Sequence, residues 1–402
     1  MKVDTVQLGE LATVIGGYAF KSRDFVDRQG VPVVKIANIT SNGVDLSNSL
    51  FLPDEFLSVK DKFHVNNGDV LISLTGSQLS QPNSVVGRVA RYSYEYTALL
   101  NQRVGKLISN DQGKCDIRFV YYFLKQGTVT YQLAINAKGS ANQANISGAD
   151  VERLRIPAFS IAQQDCIASI LSAYDDLIEN NRRRMQLLEQ AARLLYKEWF
   201  FHLRFPGHEN VKIKDGVPEG WKKKPLCEIT DITMGQSPQS VYYNEDGNGL
   251  PFHQGVTNFG VRFPARKTYC TVQGRLAESG DILFSVRAPV GRINITNDKI
   301  VIGRGLAAIR SILGQQNLLF YALKSHFFKE DMIGGGAIFA AITKKDLYGV
   351  ELLQSPDSVA QMFMEHVRPI DLQIENLDRA IEKLTELRDL LLPRLMNGEV
   401  AV

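Results

Sequence analysis

The sequence predicts an α+β protein: two repeated mixed α/β domains separated by a pair of long, antiparallel coiled-coil helices with pseudo-two-fold symmetry. Three observations predict this fold. Blocks of sequence recur in the same order in both halves, each half opens with short apolar runs between Gly, Asn and Pro, and each half ends in a heptad pattern. The 402 residues are enough for two or three domains with cores of their own.

The internal repeat is the strongest of these observations. The recurring blocks are Leu8–Gly17 with Leu226–Gly235, Asn67–Ser73 with Ser279–Ser285, Val86–Val89 with Val290–Ile293, Leu124-Lys125 with Leu323-Lys324, Gly139–Val151 with Gly335–Leu347, and Ile178–Asn180 with Ile374–Asn376. A period of about 200 residues indicates a duplicated domain, since the repeats of a solenoid are about 20–45 residues long. We therefore expect domains at 1–157 and 206–354, followed by helical segments at 158–205 and 355–402.

Within each domain the apolar runs predict strands. Three such runs are Val31–Ile36, Val70–Leu74 and Ile282–Val286. One helix is expected in each domain, around Arg118–Leu133 and Gln316–Met332.

The two helical segments open with the same capping signal. It reads Ser160-x-x-Gln163 in the first and Ser358-x-x-Gln361 in the second, where the Ser side chain accepts from the backbone three residues on. Pro369 is expected to break the second helix after its first three turns, because proline lacks the backbone N–H.

Both helical segments carry an apolar seam whose spacing alternates between four and three. In the first, the seam is Tyr174, Ile178, Asn181, Met185, Leu188, Ala192, Leu195 and Trp199. In the second, it is Ile370, Ile374, Leu377, Ile381, Leu384, Arg388 and Leu391. Such a stripe needs a partner. Either each helix packs on its own domain, or the two helices pack on each other, which for repeated halves is simplest as an antiparallel pair.

Signatures of catalysis are missing from the sequence. It contains no GxxxxGK[ST] phosphate loop, no HExxH metal motif, no GxSxG nucleophile elbow and no Asn/Asp-Pro-Pro-Tyr/Phe motif of adenine methylation. Asp69 and Asp281 lie in matching Gly-Asp turns, for which a turn role is the better interpretation. We therefore expect no catalytic residue, no cofactor and no metal in this chain.

The cysteines and the apolar runs indicate the cellular compartment in which the protein is expected. Cys115, Cys166, Cys227 and Cys270 form no CxxC pair, which is typical of reduced thiols in a cytosolic protein. The opening MKVDTVQLGE has no signal-peptide pattern, and no run of eighteen apolar residues occurs. We therefore expect a cytoplasmic protein.

Polar loops of the two domains are candidates for contact with DNA. Asn and Gln side chains pair with adenine and Arg with guanine in the major groove. The net charge of +3 requires any basic surface to be local. The candidates in the first domain are Lys21, Thr75, Ser77, Gln78, Arg88, Gln102, Arg103, Lys138, Asn142 and Gln143. Those in the second are Gln236, Ser237, Gln254, Asn258, Arg287, Arg292, Arg304 and Lys344.

The repeat separates two kinds of contact. Contacts to phosphate should persist between domains that read different sequences, and this singles out Arg88 with Arg292 and Arg103 with Arg304. Contacts to bases should differ. The alternative for any single loop is a solvated surface without a ligand.

Several strings resemble the specificity subunits of type I restriction–modification systems over essentially the whole chain. They are Ile178–Arg184, Leu187–Arg193, Tyr196–Phe200, Arg204–Glu209 and Pro218–Trp221. One departure is that the second helical segment lacks the WF-x-x-x-RFPGHE ending of the first and closes on Leu391–Glu399.

The resemblance implies that each domain recognises one half of a split double-stranded DNA target. It implies that the paired helices set the gap between the halves and dock two methyltransferase subunits, and that restriction and translocase subunits can join the complex. S-adenosylmethionine, and ATP with Mg²⁺ in the nuclease complex, would then be bound by the partners and not by this chain.

Two other functions remain open from the residues alone. One is a self-sufficient DNA methyltransferase or nuclease with a fused recognition domain, against which the missing motifs argue. The other is a coiled-coil adaptor that binds no DNA. Failure to bind any duplex would favour the adaptor.

Overall fold

The computed structural model describes residues 3–27, 29–77, 86–139, 143–327 and 341–402. The chain forms two compact units, which we call unit 1, Met1–Glu179 with Ile381–Val402, and unit 2, Asn180–Ala380. Both division points fall inside the long helices, so each unit combines a strand-rich part with one segment of each helix.

Unit 1 holds the first copy of the repeated fold. Its strands are β1 Thr5–Gln7, β2 Ala12–Gly16, β3 Val31–Val34, β4 Ile39–Thr40, β5 Gly43–Val44, β6 Leu50–Leu52, β7 His64–Val65, β8 Val70–Ser73, β9 Thr75–Gly76, β10 Val89–Arg91, β11 Ala98–Leu100, β12 Val104–Ser109, β13 Ala144–Asn145 and β14 Arg155–Pro157. Its helices are α1 Leu8–Leu11, α2 Ile117–Lys125, α3 Gly127–Ile135, α4 Gly148–Glu152 and the first part of α5 Ile161–Tyr196.

Unit 2 begins within α5, which continues into a π-helical turn at Lys197–Phe201. Its strands are β15 Ile213–Lys214, β16 Val217–Pro218, β17 Lys222–Pro225, β18 Thr230–Met234, β19 Tyr243–Asn244, β20 Leu250–His253, β21 Tyr269–Cys270, β22 Leu276–Ala277, β23 Ile282–Ser285, β24 Ile293–Ile295, β25 Ile300–Ile302, β26 Leu306–Ser311 and β27 Glu351–Gln354. Its helices are α6 Leu226–Ile229, α7 Gln316–Phe327, α8 Lys344–Tyr348 and the first part of α9 Asp357–Met396.

The two units repeat one sheet topology. An antiparallel sheet runs β10-β8-β12-β2 in unit 1, and its counterpart in unit 2 runs β24-β23-β26-β18. A second sheet contains one parallel pair, β3 with β11 in unit 1 and β20 with β25 in unit 2. The prediction of two repeated mixed α/β domains is confirmed.

The central strands are buried on both faces. In β8 and in β23 each of the four residues is buried, as the short apolar runs in the sequence predicted. In unit 1 a core cluster joins this sheet to α2 and to both helix segments, through Leu171 of α5 and Leu395 of α9. In unit 2 the corresponding cluster is richer in aromatic side chains and includes Trp199, Trp221 and Phe363.

The long helices follow the predicted seams. Ile178, Met185 and Ala192 are buried along α5 and Trp199 in the π-helical turn that follows it, at every seventh position. Ile374 and Leu377 are buried along α9. In unit 2 the contacts run in opposite directions along the two helices: Glu189 and Asp371 share one partner, whereas Tyr196, further along α5, meets Phe363, earlier in α9. The antiparallel pairing is therefore observed within this unit.

Two helix predictions are wrong. Helix α9 runs without a break through Pro369, because the loss of one N–H is offset by apolar residues buried on either side, such as Val367 and Ile374. The single helix expected around Arg118–Leu133 is two helices, since Gln126 is extended and its side-chain amide donates to the Phe123 carbonyl at the end of α2.

One of the two capping predictions is also wrong. Ser160 and Gln163 form the expected reciprocal bonds, at 3.1 and 3.4 Å. Helix α9, in contrast, begins at Asp357, so that Ser358 lies inside its first turn and Gln361 bonds to Glu365 instead.

Candidate nucleic-acid interface

In unit 1 the candidate loops meet where β11 turns into β12. The backbone of Asn101 donates to Val34 at 3.1 Å, and that of Leu74 donates to the Arg103 carbonyl at 3.0 Å. These bonds hold the turn Asn101–Arg103 between the end of β3 and the end of β8. The side chains of Gln102 and Arg103 are exposed there.

Arg103 is oriented by a polar chain. Its Nη1 donates to Thr75 Oγ1 at 3.3 Å, and Thr75 Oγ1 donates to Asn145 Oδ1 at 2.9 Å. Lys138 pairs with Asn145 through two backbone bonds of 2.9 and 2.8 Å. Thr75 is only 6% exposed and holds the Arg103 side chain from the interior of the unit, while Arg103 and Lys138 face solvent.

An exposed aromatic ring stands beside this turn. Tyr18 accepts from the Gln102 backbone at 3.0 Å, and its ring packs against Phe20 and Phe63 with centroids 4.9 and 5.4 Å apart. Among the residues of this loop, the sequence analysis selected the nearby Lys21 as the contact to DNA, and it is also exposed. A solvent-facing tyrosine among polar loops was the available signal for this stacking surface.

In unit 2 the corresponding turn carries a different polar cluster. Ser237 Oγ donates to Gln254 Oε1 at 2.9 Å and accepts from the Arg304 backbone at 3.1 Å. A Cβ on Gly303 would lie 2.8 Å from the Cα of Gln254, so only glycine fits at this crossing. Gln236, Gln254 and Arg304 are all exposed around it.

The hydrogen-bond register corrects one expected equivalence. The Leu74 backbone donates to Arg103 in unit 1, and the Val286 backbone donates to Gly305 in unit 2. Arg103 therefore corresponds to Gly305, and Arg304 corresponds to Gln102. The pairing of Arg103 with Arg304 as one repeated cation is wrong, because similar residues in the two turns are offset by one position.

The pairing of Arg88 with Arg292 agrees with the register. Each arginine accepts at its carbonyl from a strand-end serine, Ser73 or Ser285, at 2.9 Å. Each backbone N–H also donates to the hydroxyl of that serine. The two arginines thus occupy the same position of the repeat.

The remaining candidates are spread over both units. Arg287 is exposed and pairs with Ala341 in the way that Thr75 pairs with Asn145. Lys344 lies over the Tyr348 ring, with its Nζ 5.0 Å from the centroid. Gln143 is exposed, Ser77 and Asn258 are half-buried, and Gln78 and Asn142 lie outside the described residues.

A partly buried ion cluster in unit 1 lies where α2 packs on the long helices. Asp175 of α5 accepts from the Tyr122 hydroxyl at 3.0 Å, from Lys125 at 3.3 Å and from Arg388 of α9 at 2.5 Å. Burial alone would raise the pKa of Asp175, but Lys125 and Arg388 outweigh it and hold the pKa below its ordinary value.

Unit 2 has a larger cluster built around Arg262. Its guanidinium donates to Glu189 of α5 and to Asp371 of α9, each at 2.6 Å, and to the Tyr321 hydroxyl at 3.0 Å. Lys324 donates to Glu189 at 2.5 Å. Burial would raise the pKa of Glu189, and the two cations lower it below its ordinary value. No pattern in the sequence indicated either cluster.

One buried histidine adjoins the unit 2 turn. His253 is buried, and its Nδ1 finds no hydrogen-bond partner among the described residues. Burial lowers the pKa of this imidazole to about 4. It is therefore neutral at pH 7.

The described residues contain no group of three or more His, Cys, Asp or Glu side chains placed to hold a metal ion. None of the helices in the described ranges is both long enough and apolar enough to cross a bilayer.

Comparisons with known proteins agree on one family. The family model for the type I restriction modification DNA specificity domain matches residues 1–190. The MjaX type I restriction enzyme specificity subunit of Methanocaldococcus jannaschii is 30% identical over 381 residues, which cover 94% of this chain and 88% of the relative. The MjaIX specificity subunit of the same organism is 28% identical over 300 residues, covering 71% and 69%.

A solved structure shares the fold. The S subunit of a type I restriction–modification system from M. genitalium matches with a TM-score of 0.59 at 18% identity. The match covers 98% of this chain and 95% of that one.

Proposed function

Because the chain belongs to the family of type I restriction–modification specificity subunits, we propose that units 1 and 2 each recognise one half of a bipartite DNA target. One observation carries this proposal: the same turn, between the same two strands, presents exposed polar side chains in both units, and their identities differ. Gln102 and Arg103 stand in unit 1 where Arg304 and Gly305 stand in unit 2. A shared scaffold with different readers suits two different half-targets.

Within each half the contacts divide by kind. Arg88 and Arg292 occupy one position of the repeat, and we assign them to phosphate, which is the same for every sequence. The residues that differ, Gln102 and Tyr18 in unit 1 and Arg304 in unit 2, are assigned to base edges. Gln pairs with adenine and Arg with guanine at major-groove edges.

The long helices provide the surface for partner subunits in this proposal. Six leucines are at least half exposed on them: Leu177, Leu387 and Leu390 in unit 1, and Leu187, Leu194 and Leu372 in unit 2. Exposed apolar side chains in each unit are what a docking helix of a methyltransferase subunit would cover. Each unit would thus receive one methyltransferase, and restriction and translocase subunits would add to that complex.

The chemistry then belongs to the partners. S-adenosylmethionine is held by the methyltransferase subunits, and ATP with Mg²⁺ by the restriction subunits, whereas this chain has no catalytic role. The four cysteines are free thiols, which suits the reducing cytoplasm where such a complex meets DNA.

Methylation mapping tests the assignment of the two units. The full chain is expressed with a methyltransferase partner, and methylated adenines are located in the host DNA. Replacing residues 1–157 by those of another family member should change one half of the target and leave the other intact. A change in both halves, or in neither, contradicts the proposal, and binding to no duplex at all favours an adaptor.

A second experiment tests the role of the helices in setting the gap. One heptad is inserted into or deleted from the seam between Tyr174 and Trp199. Since a heptad adds about 10 Å at 1.5 Å per residue, the mapped gap should change or binding should be lost. An unchanged gap contradicts the role.

A further inference from the structure

A hairpin in unit 2 connects the candidate DNA-reading loops to the long helices. It spans residues 258–265 and is closed by bonds from Ala265 to Asn258 at 2.8 Å and from Gly260 to Phe263 at 3.1 Å. Near its tip, the carbonyl of Arg262 accepts from Ile295 at 2.8 Å, which fixes the hairpin to the edge strand β24.

The side chain of Arg262 leaves this tip and enters the helices. It is 2% exposed, and its guanidinium joins Glu189 on α5 to Asp371 on α9. The guanidinium carbon also lies 4.0 Å from the centroid of the Phe320 ring. Four charged groups (Arg262, Lys324, Glu189 and Asp371) thus meet in one buried cluster.

The same hairpin exists in unit 1 without this contact. There the Asp45 backbone donates to Asn38 at 2.8 Å and strands β4 and β5 pair. The position that corresponds to Arg262 is Asn42, which is exposed. The repeated fold therefore forms without a buried arginine at the hairpin tip, and the folding of the repeat does not account for Arg262.

Burial of four charges is also a poor source of stability. Desolvation of ionised groups offsets much of their attraction, so that apolar residues of similar volume often stabilise a core as well or better. The guanidinium group fixes the direction of each bond to a carboxylate, because its N–H donors lie in one plane. The bonds from Arg262 therefore hold the hairpin at one angle on α5 and α9.

The contact of Arg262 with the helices lies close to the candidate DNA-contacting residues of unit 2. The hairpin follows β20 after a short turn that begins at the exposed Gln254. Gly303 and Gly305, which flank Arg304, donate to His253 and Gln254 at 2.8 and 3.1 Å. A tilt of the hairpin is therefore passed on to Gln254 and Arg304 through a short, bonded path.

We propose that Arg262 is a positioning residue that fixes the angle of the unit 2 reading loops on the long helices, and so determines how strictly the gap between the two half-targets is read. This inference rests on the proposed function. A half-target displaced by one base pair moves by about 3.4 Å along the DNA axis and turns by about a tenth of a helical turn. Reading loops that are held at one angle on the helices cannot follow that displacement. Loops whose angle can vary are able to follow it.

Two variants separate charge from geometry. Arg262→Lys keeps the positive charge but loses the fork, so the cluster stays balanced while the hairpin angle is freed. The double variant Arg262→Met with Asp371→Asn removes one charge of each sign and leaves Glu189 with Lys324. Arg266→Met is the matched control, because Arg266 lies next to the same hairpin in an ion pair with Asp298 that is exposed on both sides.

The measurement uses the full chain in complex with its methyltransferase partner. Duplexes carry the mapped target with its own gap or with a gap one base pair longer. We expect the ratio of the two affinities to fall by about tenfold, equivalent to about 1.4 kcal/mol, in both variants, mainly through tighter binding of the longer gap. Recognition of the bases of each half-target should be unchanged, and Arg266→Met should keep the wild-type ratio.

The outcomes that overturn the inference are distinct from those that overturn the function. If both variants fold, by their melting temperature, and discriminate gaps as the wild type does, Arg262 has no positioning role. Equal losses of affinity for both duplexes assign it a structural role only, which also overturns the inference. If the wild-type complex binds neither duplex, the proposed function itself fails.

Discussion

Asp175 in unit 1 and Asp371 in unit 2 occupy the same position of the repeat, three residues before Ile178 and Ile374. Each accepts a hydrogen bond from the hydroxyl of an equivalent tyrosine, Tyr122 or Tyr321. Their arginine partners have different origins, since Arg388 comes from α9 whereas Arg262 comes from a hairpin of the strand-rich part.

The two halves of the repeat thus differ in which part of the unit supplies the arginine that bridges α5 and α9. In unit 1 the arginine joins the two helix segments to each other directly, and it is partly exposed. In unit 2 the bridge between the helix segments passes through the strand-rich part, because Arg262 contacts both of them. The hairpin of unit 2 therefore contacts both helix segments through one side chain, whereas in unit 1 the contact between the segments is made by Arg388 of α9 itself.

The largest expected effect comes from removing the repeated carboxylates. Asp371→Ala leaves Arg262 buried beside a carboxylate already shared with Lys324, and should lower the free energy of unfolding by about 3–5 kcal/mol. Asp175→Ala should cost about 1–3 kcal/mol, because Lys125 and Arg388 retain some access to water. Urea unfolding of both variants checks the comparison, and equal losses would show that the clusters are equivalent.

A similar contrast is expected in the apolar packing. Phe363 in unit 2 is fully buried against Tyr196, Trp199 and Phe200, and its counterpart in unit 1 is the fully buried Ile167. Phe363→Ala should destabilise by about 3–5 kcal/mol and Ile167→Val by about 0.5–1.5 kcal/mol. Circular dichroism at increasing urea concentrations measures both. A smaller loss for Phe363→Ala than for Ile167→Val would contradict the aromatic core assigned to unit 2.

The sensitivity to acid should also separate the units. His253 has its pKa lowered to about 4 from 6.5 by burial, so the unfolded chain binds a proton in this interval that the folded chain does not. The neutral His253 therefore contributes its full stabilisation of unit 2 above pH 6.5. Below pH 6.5 this contribution to the free energy of unfolding falls by about 1.4 kcal/mol per pH unit toward pH 4.

His253→Val introduces the residue that unit 1 has at the same strand position, Val34. It should remove this part of the pH dependence, and the cavity it leaves costs the same at every pH. Comparing the urea midpoints at pH 7 and pH 5 isolates the effect. An unchanged slope in the variant would show that other groups cause the acid sensitivity.

The sequence was sufficient where periodicity carries the information. The seam positions Ile178, Met185 and Trp199 could be predicted because heptad spacing depends only on helix geometry. Strands β8 and β23 could be predicted because each has three consecutive apolar residues directly after a Gly-Asp turn, a pattern that is typical of a short buried strand. The continuity of α9 through Pro369 depends on packing contributed by distant residues, and no local pattern shows it.

The candidate site was predicted less completely for a related reason. The block Leu124-Lys125 was recognised as repeated, yet its role became visible only with Asp175 placed beside it. The offset between Arg103 and Arg304 is set by bonds from distant strands, which outweigh the local likeness of the two turns. Arg262 has no repeated counterpart, so a search for repeats could not find it.

The smallest expected difference concerns the two tyrosines. Tyr122→Phe removes one donor to Asp175, which keeps Lys125 and Arg388. The Tyr321 hydroxyl donates to Asp371 and also accepts from Arg262, so Tyr321→Phe removes two bonds. We expect losses of about 1.5 kcal/mol and about 3 kcal/mol, since each hydrogen bond to a charged group contributes about 1.5–3 kcal/mol.

The removed oxygen leaves similar space in both variants, so the difference between the two losses reports the extra bond to Arg262. In an Arg262→Lys background that difference should shrink, because the ammonium group no longer reaches the hydroxyl along the fork of the guanidinium. Melting temperatures of the single and combined variants form a double-mutant cycle that measures the coupling directly. A coupling of zero would mean that Tyr321 contributes to unit 2 as Tyr122 does to unit 1, and that Arg262 alone distinguishes the two clusters.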